Sequence, residues 1–304
     1  MSRVAVDRAA PSDVDGLTGG GLPGLPGEAG RAGWGPLARR RPARRVSALL
    51  AIRAPIPMRA KWVLVTLSVL VPLVAWFALG ASGAVEPRFL PSPGAVWAAG
   101  LEQARSGQLA TDAWASLRRV LTGFGLAVAV SVPLGILMGT FAAGQALLEP
   151  VIALLRYLPA SAFIPLLIIW LGLGEPSKVA ILFIGTVFFN TLMTADVVRL
   201  VPGALIDVSY TLGARRGEVL RKVVVPHALP GMLDAIRVNA AAAWNFVVVA
   251  ELIAADSGLG YRIARAQRFT QTDRIFAMLV VIGVIGLALD VTLRLLRDRV
   301  GRWM

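Results

Sequence analysis

Trp62-Val-Leu-Val-Thr-Leu-Ser-Val-Leu-Val-Pro-Leu-Val-Ala-Trp-Phe-Ala-Leu-Gly-Ala-Ser82 is the stretch that decides the fold, because no charge interrupts the chain between Lys61 and Glu86. Crossing a hydrocarbon core of ~30 Å takes about 20 apolar residues as an α-helix. Lipid offers no partner for backbone N–H and C=O groups, so a run this apolar spans as a helix or not at all. Working outward, five more runs qualify: Val120–Phe141, Pro150–Gly172, Lys178–Val198, Ile236–Ala255 and Phe276–Leu296. The expected fold is therefore an all-α integral membrane protein of about six transmembrane helices. The composition agrees. Apolar residues reach 56%, charged residues fall to 16%, and mean hydropathy is +0.69, whereas soluble domains carry about 25% charged residues.

Ahead of these runs, residues 1–57 hold Gly-Leu-Pro repeats and the basic knot Arg39–Arg45, without helical or strand period. They read as a disordered, Gly/Pro/Arg-rich cytoplasmic tail, with residues 58–304 as the membrane domain. A second reading, translation beginning at Met58, stands beside it. A secretory signal is not indicated, since the first apolar run starts near residue 62 and is too long for one.

The net charge of +13 raises nucleic acid as a partner, but its distribution excludes that class. Eleven of the 31 basic residues precede the first run, and four, Arg294, Arg297, Arg299 and Arg302, stand at the end of the last or beyond it. Charge bordering apolar spans sets topology. With both ends inside, the tail, the loop around 199–235 with Arg237 at its lip, and the C-terminus carry 21 basic residues, against nine outside and Arg156 within a span. The expected location is a bacterial inner membrane, multi-pass, with cytoplasmic termini. The chain has no cysteine and one histidine, His227, which leaves no thiol nucleophile, disulfide or multi-His metal site. No metal or cofactor is expected, and an intramembrane enzyme has little to work with.

Between the fourth and fifth runs lies Asp207-Val-Ser-Tyr-Thr-Leu-Gly213-Ala-Arg-Arg-Gly-Glu-Val-Leu-Arg-Lys-Val-Val-Val-Pro226-His-Ala-Leu-Pro230. Leu205, Val208 and Leu212 share one helical face, and Val219, Leu220 and Val223 share another. Gly213 separates them, where a left-handed residue or a close backbone approach is needed. Pro226 and Pro230 are expected to stop the second helix before the chain re-enters the membrane. Two readings follow. The unit is a rigid knob for a partner's groove, or an amphipathic loop laid on the membrane surface by Arg215, Arg216, Arg221 and Lys222.

This segment resembles the EAA loop of binding-protein-dependent ABC importer permeases, E-A-A-x3-G-x9-I-x-L-P. Asp207-Val208-Ser209 occupies the first positions, keeping only the acidic character, with Gly213 as the glycine and Val223 to Pro226 as the end. Phe89-Leu-Pro-Ser-Pro93, Tyr157-Leu-Pro-Ala-Ser-Ala-Phe-Ile-Pro165, Trp170-Leu-Gly-Leu-Gly174 and Ser257-Gly-Leu-Gly-Tyr261 are similar to the nitrate/sulfonate/taurine/bicarbonate branch. The resemblance covers roughly residues 60–300 and implies an importer-permease fold with a cytoplasmic coupling loop. It implies a permease homodimer in membrane lipid, a separate ATP-binding cassette subunit and a periplasmic or lipid-anchored binding protein. Asp207, Gly213, Arg215, Arg216, Val219, Leu220, Val223 and Pro226 are the implied coupling residues. ATP would be bound by the partner, because the chain has no G-x-x-x-x-G-K-[ST] loop. The implied cargo is a small anion: a sulfonate or taurine first, then nitrate, bicarbonate or a small heterocycle. A stand-alone secondary transporter or channel is the alternative, and would show inverted repeats and midplane charges.

Four polar residues inside the runs are candidates for the pathway or its gate. Arg156 either meets an anion or snorkels to the cytoplasmic interface. Asn190 lines the pathway or bonds between helices, and Asn245 lies in the polar fifth run. Glu251 is a gate or a paired packing residue near the outer surface. Asp196 and Arg199, like Asp234 and Arg237, have the i, i+3 spacing of a pair. Gly135 and Gly139 permit close helix contact. Arg262, Arg265 and Arg268 form a basic face on the last outside loop, suited to an acidic binding protein or to anions.

Overall fold

The structure is a computed structural model that describes residues 56–301. The expected N-terminal tail, 1–57, lies almost wholly outside the described residues. The chain divides at Leu64; before it, the described part is the start of the first helix.

The described residues form helices joined by short turns. These are α1 (Met58–Ala81), α2 (Pro93–Arg105), α3 (Gln108–Thr140), α4 (Ala142–Leu155), α5 (Ile164–Leu171), α6 (Glu175–Arg199), α7 (Gly203–Thr211), α8 (Arg216–Val219), α9 (Val225–Ala254), α10 (Leu259–Arg268) and α11 (Thr272–Val300). Five stretches are long and apolar enough to cross a membrane alone: α1, α3, α6, the continuous run Arg216–Ile253 that includes α9, and α11. The third expected run, Pro150–Gly172, is not one helix. It is a broken span, in which α4 and the segment Ala160–Leu171 meet at an 80° bend. Pro159 is the reason: proline removes an N–H and disfavours helical geometry in its predecessor, and Pro159 itself is extended, whereas Pro165 fits in the first turn of α5. Counting the bent pair once gives six candidate crossings among the described residues.

α3 and α6 run parallel at the centre, and a stripe of small residues on α3 brings them together. Gly123, Ala127, Ser131, Gly135 and Gly139 recur every fourth residue, so they share a face. A Cβ on Gly135 would stand 2.7 Å from the Thr191 carbonyl oxygen, and one on Gly139 the same distance from that of Ala195. The Gly135–Gly139 pair thus serves contact within the chain. Between apolar helices in lipid no hydrophobic force operates, so close packing of this kind supplies the attraction.

α9 lies antiparallel to α6, and α11 antiparallel to α9. Trp244, Val247, Leu182, Phe124 and Met278 form the main apolar core with α10's Leu259. Asp234 and Arg237 do not pair with each other. Asp234 meets Arg297 at 3.1 Å and Arg237 meets Asp290 at 3.5 Å, because both side chains face α11 rather than one another. Asp196 and Arg199 do pair, at 3.2 Å. α1 has no buried residue and is apolar all round, as suits a helix whose solvent is lipid. Trp76 ties it to the bundle by donating to the Pro91 carbonyl at 3.0 Å and stacking on Phe276.

Candidate functional site

At one end of the bundle the chain leaves α6, forms α7 and turns back. α7 has no buried residue. Leu205, Val208 and Leu212 present their shared face to the exterior, Leu212 being 82% exposed. Leu212 accompanies exposed Asp207 on this projecting element. The turn is a Schellman motif: Ala214 donates to the Ser209 carbonyl and Gly213 to that of Tyr210. Gly213 sits at φ +83° with open space where a Cβ would be. Its need is therefore conformational, the left-handed turn, and no close backbone approach within the chain is involved.

The second face points the other way. Val219 is buried, and with Leu220, Val223 and Val224 it packs on Val198, Ala228 and Met232. Arg215 and Arg216 remain exposed, and Glu218 folds back to accept from the Arg215 backbone N–H at 3.1 Å. The knob thus has an anchored half and a free half. Pro226 and Pro230 do not stop the helix; it continues from Arg216 to Ile253. A π-helical turn at Leu220–Val224 precedes Pro226, which falls in the first turn of α9. The wider turn accommodates a ring that would clash with the carbonyl four residues back, and proline in a first turn leaves no N–H wanting.

At the opposite end lies a polar cluster. Arg119, 1% exposed, is not in an outside loop as its place before the apolar run suggested. α3 begins at Gln108 and carries it into the bundle. It holds Glu175 with two donors, at 2.9 and 2.6 Å, and Glu251 at 2.6 Å. It also donates to the Ser257 carbonyl at 2.7 Å and to the Ser257 hydroxyl at 2.9 Å. Glu251 further accepts from Ser116 Oγ at 2.8 Å and the Gly260 N–H at 2.9 Å. Asp112 accepts from the Gly258 N–H at 2.8 Å and pairs with Arg262. Four helices and the Ser257–Gly260 turn are thereby clamped together. Every strong donor and acceptor in it has a partner, the condition under which buried charge is tolerated.

The four pathway candidates part company. Glu251 is a closed member of this clamp. Asn190 is fully buried between helices, donating to Ser131 Oγ at 2.5 Å and accepting from Asn239 at 3.3 Å. Asn245 is exposed on α9 and lines, with Arg237, Trp244 and Asp290, a cavity of about 180 Å³. Arg156 sits at the break after α4, with its guanidinium over the Tyr157 ring. Of the basic face, Arg262 is committed to Asp112, whereas Arg265 and Arg268 are exposed. Arg265 lines a cavity of about 410 Å³ with Glu102, Gln103 and Arg274.

The clamp was missed in the sequence, yet it left a signal. Asp112, Ser116, Arg119 and Gly123 follow one another at helical spacing, extending the small-residue stripe of α3 outward beyond its apolar run.

Comparison with known proteins places this geometry in a family. Residues 131–304 match the model described as "Binding-protein-dependent transport system inner membrane component". A probable ABC transporter permease of Brucella melitensis is 39% identical over 237 residues, covering 78% of this chain and 95% of that protein. The taurine transport system permease protein TauC of Escherichia coli is 36% identical, covering 78% and 88%. The inward-facing MetNI methionine ABC transporter shares the fold, with TM-score 0.59 at 19% identity, over 66% of this chain and 99% of that one. The chain therefore belongs to the binding-protein-dependent transport system inner membrane components and is the multi-pass permease subunit of an ABC importer.

Proposed function

We propose that this permease imports a small oxyanion of the sulfonate, taurine or bicarbonate class, driven by ATP hydrolysis on a separate subunit. The α7 end faces the cytoplasm, with both termini, and the α10 end receives the loaded binding protein. Two copies of the chain enclose the pathway. The single observation that carries the coupling half of this reading is the α7 projection. An apolar face of Leu205, Val208 and Leu212 stands clear of the bundle on a rigid capped turn, the form a partner's groove takes up. The basic bias of this end supports its orientation. The presence of taurine, aliphatic sulfonate and bicarbonate permeases among its relatives supports the cargo class.

The test is reconstitution in liposomes with the cognate ATPase subunit and binding protein. ATP-dependent accumulation of taurine, ethanesulfonate or bicarbonate is expected. Accumulation of a neutral sugar or a cation alone would refute the cargo class, and accumulation without the ATPase subunit would refute the coupling.

A further inference from the structure

From its depth and its lack of a counter-charge, we infer that Arg156 is the residue that meets the transported oxyanion inside the membrane. This rests on the import reading above and names the residue that recognises its cargo.

Depth comes from packing. Ile152, one turn before Arg156, packs at the level of Met138 and Ala195. Ala160 and Ile164, after it, pack at the level of Ile181 and Ala250. Along α6 those levels are roughly 21 Å apart at 1.5 Å per residue. Arg156 falls between them, two turns and roughly 10 Å along the chain from Glu149, which pairs with Arg199 at the end of α6. Its guanidinium is turned onto the Tyr157 ring, where a snorkelling arginine, the other expected role, would extend toward the interface.

At this depth a cation needs water or a counter-charge. Among the described residues Arg156 forms no ion pair, although twelve such contacts occur elsewhere. Its one side-chain hydrogen bond runs from Nη2 to the Tyr157 hydroxyl at 3.0 Å. Its Nε is enclosed without a partner. Tyr157 holds the guanidinium from beneath, 4.9 Å from the ring centroid, and leaves the other N–H groups unused.

Next to Arg156 the surface of α4 is shallowly hollowed. Gln145, Glu149 and Ala153 line a groove of about 380 Å³ along α4, and Arg156 continues that face three residues on. Glu149 carries no net repulsion for an anion, since Arg199 pairs with it at 2.8 Å. Leu147, Val151 and Leu154, on another face of α4, are exposed and apolar, as lipid contact requires. A guanidinium fork fits two oxygens of a carboxylate-, bicarbonate- or sulfonate-type group. A single fork without a competing carboxylate holds such a group and also lets it go.

The chain has no cysteine, so Arg156→Cys introduces a unique thiol. The experiment uses the full transporter in liposomes, with 2-sulfonatoethyl and 2-aminoethyl methanethiosulfonate as probes and taurine and ethanesulfonate as cargo. Both reagents are expected to modify position 156. Uptake by Arg156→Cys should fall at least tenfold while the ATPase subunit still co-purifies. Aminoethyl modification, which restores a cation, should recover at least fivefold; sulfonatoethyl modification should recover nothing. Arg156→Lys, which keeps charge without the fork, should lie between, and it serves alone if the cysteine variant does not assemble. A thiol at 156 that neither reagent reaches, or wild-type uptake by the lysine variant, would overturn the assignment. A wild-type transporter that imports only neutral or cationic ligands fails the import reading instead, before any variant is made.

Discussion

Arg119 Nη1 stands 2.6 Å from Glu251 Oε1, and the two side chains are 1% and 0% exposed. α3 and α9 are thereby joined by a charge pair that water does not reach, at the point where the chain turns into α10. Removing one partner of a buried pair strands the other, at about 3–5 kcal/mol. Arg119→Leu is expected to lower the thermal midpoint of the purified permease–ATPase complex in detergent markedly. Glu251→Gln should cost less, because the amide oxygen still accepts from Ser116 and Gly260 and Glu175 still holds Arg119. Equal midpoints for Arg119→Leu and the wild type would remove the clamp from the account.

Glycines on the α3–α6 contact should respond differently from glycines in open space. A Cβ at Gly135 would fall 2.5 Å from that of Thr194, and one at Gly139 2.6 Å from that of Val198, whereas Gly125 and Gly283 have nothing within 4 Å. Gly135→Val and Gly139→Val are expected to deplete folded permease in membranes, measured as the detergent-soluble monodisperse fraction. Gly125→Val and Gly283→Val should stay near wild type. Tolerance of Gly135→Val would mean that the helices are not held at this distance.

The basic face of α10 divides by pairing, with Arg262 held by Asp112. Arg265 and Arg268 are exposed, and replacing both with Gln should weaken stimulation of ATPase activity by the binding protein. The loss should shrink as salt rises, since exposed charges are screened within ~10 Å at 0.1 M. Arg262→Gln should instead lower stability at every salt concentration, because it frees buried Asp112. Salt-independent loss in the Arg265/Arg268 variant would argue against a docking role.

Sidedness can be read with single cysteines and an impermeant thiol reagent. Trp97→Cys and Phe269→Cys, both exposed at the α10 end, are expected to label in intact cells. Leu212→Cys should label only after permeabilisation. Labelling of Leu212→Cys from outside would invert the topology.

Much of this was legible in the sequence, and the reasons for the rest are physical. Apolar runs locate spans because lipid tolerates little else, so α1, α6 and α11 fall where hydropathy puts them. The start of α3 did not, since its first three turns carry charged groups that only a folded bundle can satisfy. Arg118 and Arg119 stand just before the apolar run, so hydropathy alone leaves them outside the span. The break at Pro159 and the uninterrupted passage through Pro226 show one residue type with opposite outcomes. In the first case nothing widens the turn for the Pro159 ring and α4 ends before it; in the second a π turn opens room for the ring. Periodicity correctly grouped Leu205 with Val208 and Leu212, and Val219 with Leu220 and Val223. It was blind to which group is anchored, because that depends on what α6 and α9 offer to pack against.

The central claim is that the α7 projection couples the permease to its ATPase subunit, and Gly213 tests it most directly. Its φ of +83° costs a residue with a Cβ about 1 kcal/mol or more, and most for a β-branched one. Gly217, in the neighbouring helix with open space around it, is the control, where alanine favours the helix. The measurement is co-purification of the ATPase subunit with Gly213→Val and Gly217→Ala, alongside uptake and binding-protein-stimulated ATP hydrolysis. For Gly213→Val, normal membrane abundance with a shared fall in all three readouts is predicted, and Gly217→Ala should match wild type. Wild-type co-purification and uptake by Gly213→Val would contradict the claim and leave α7 as a helix resting on the membrane surface.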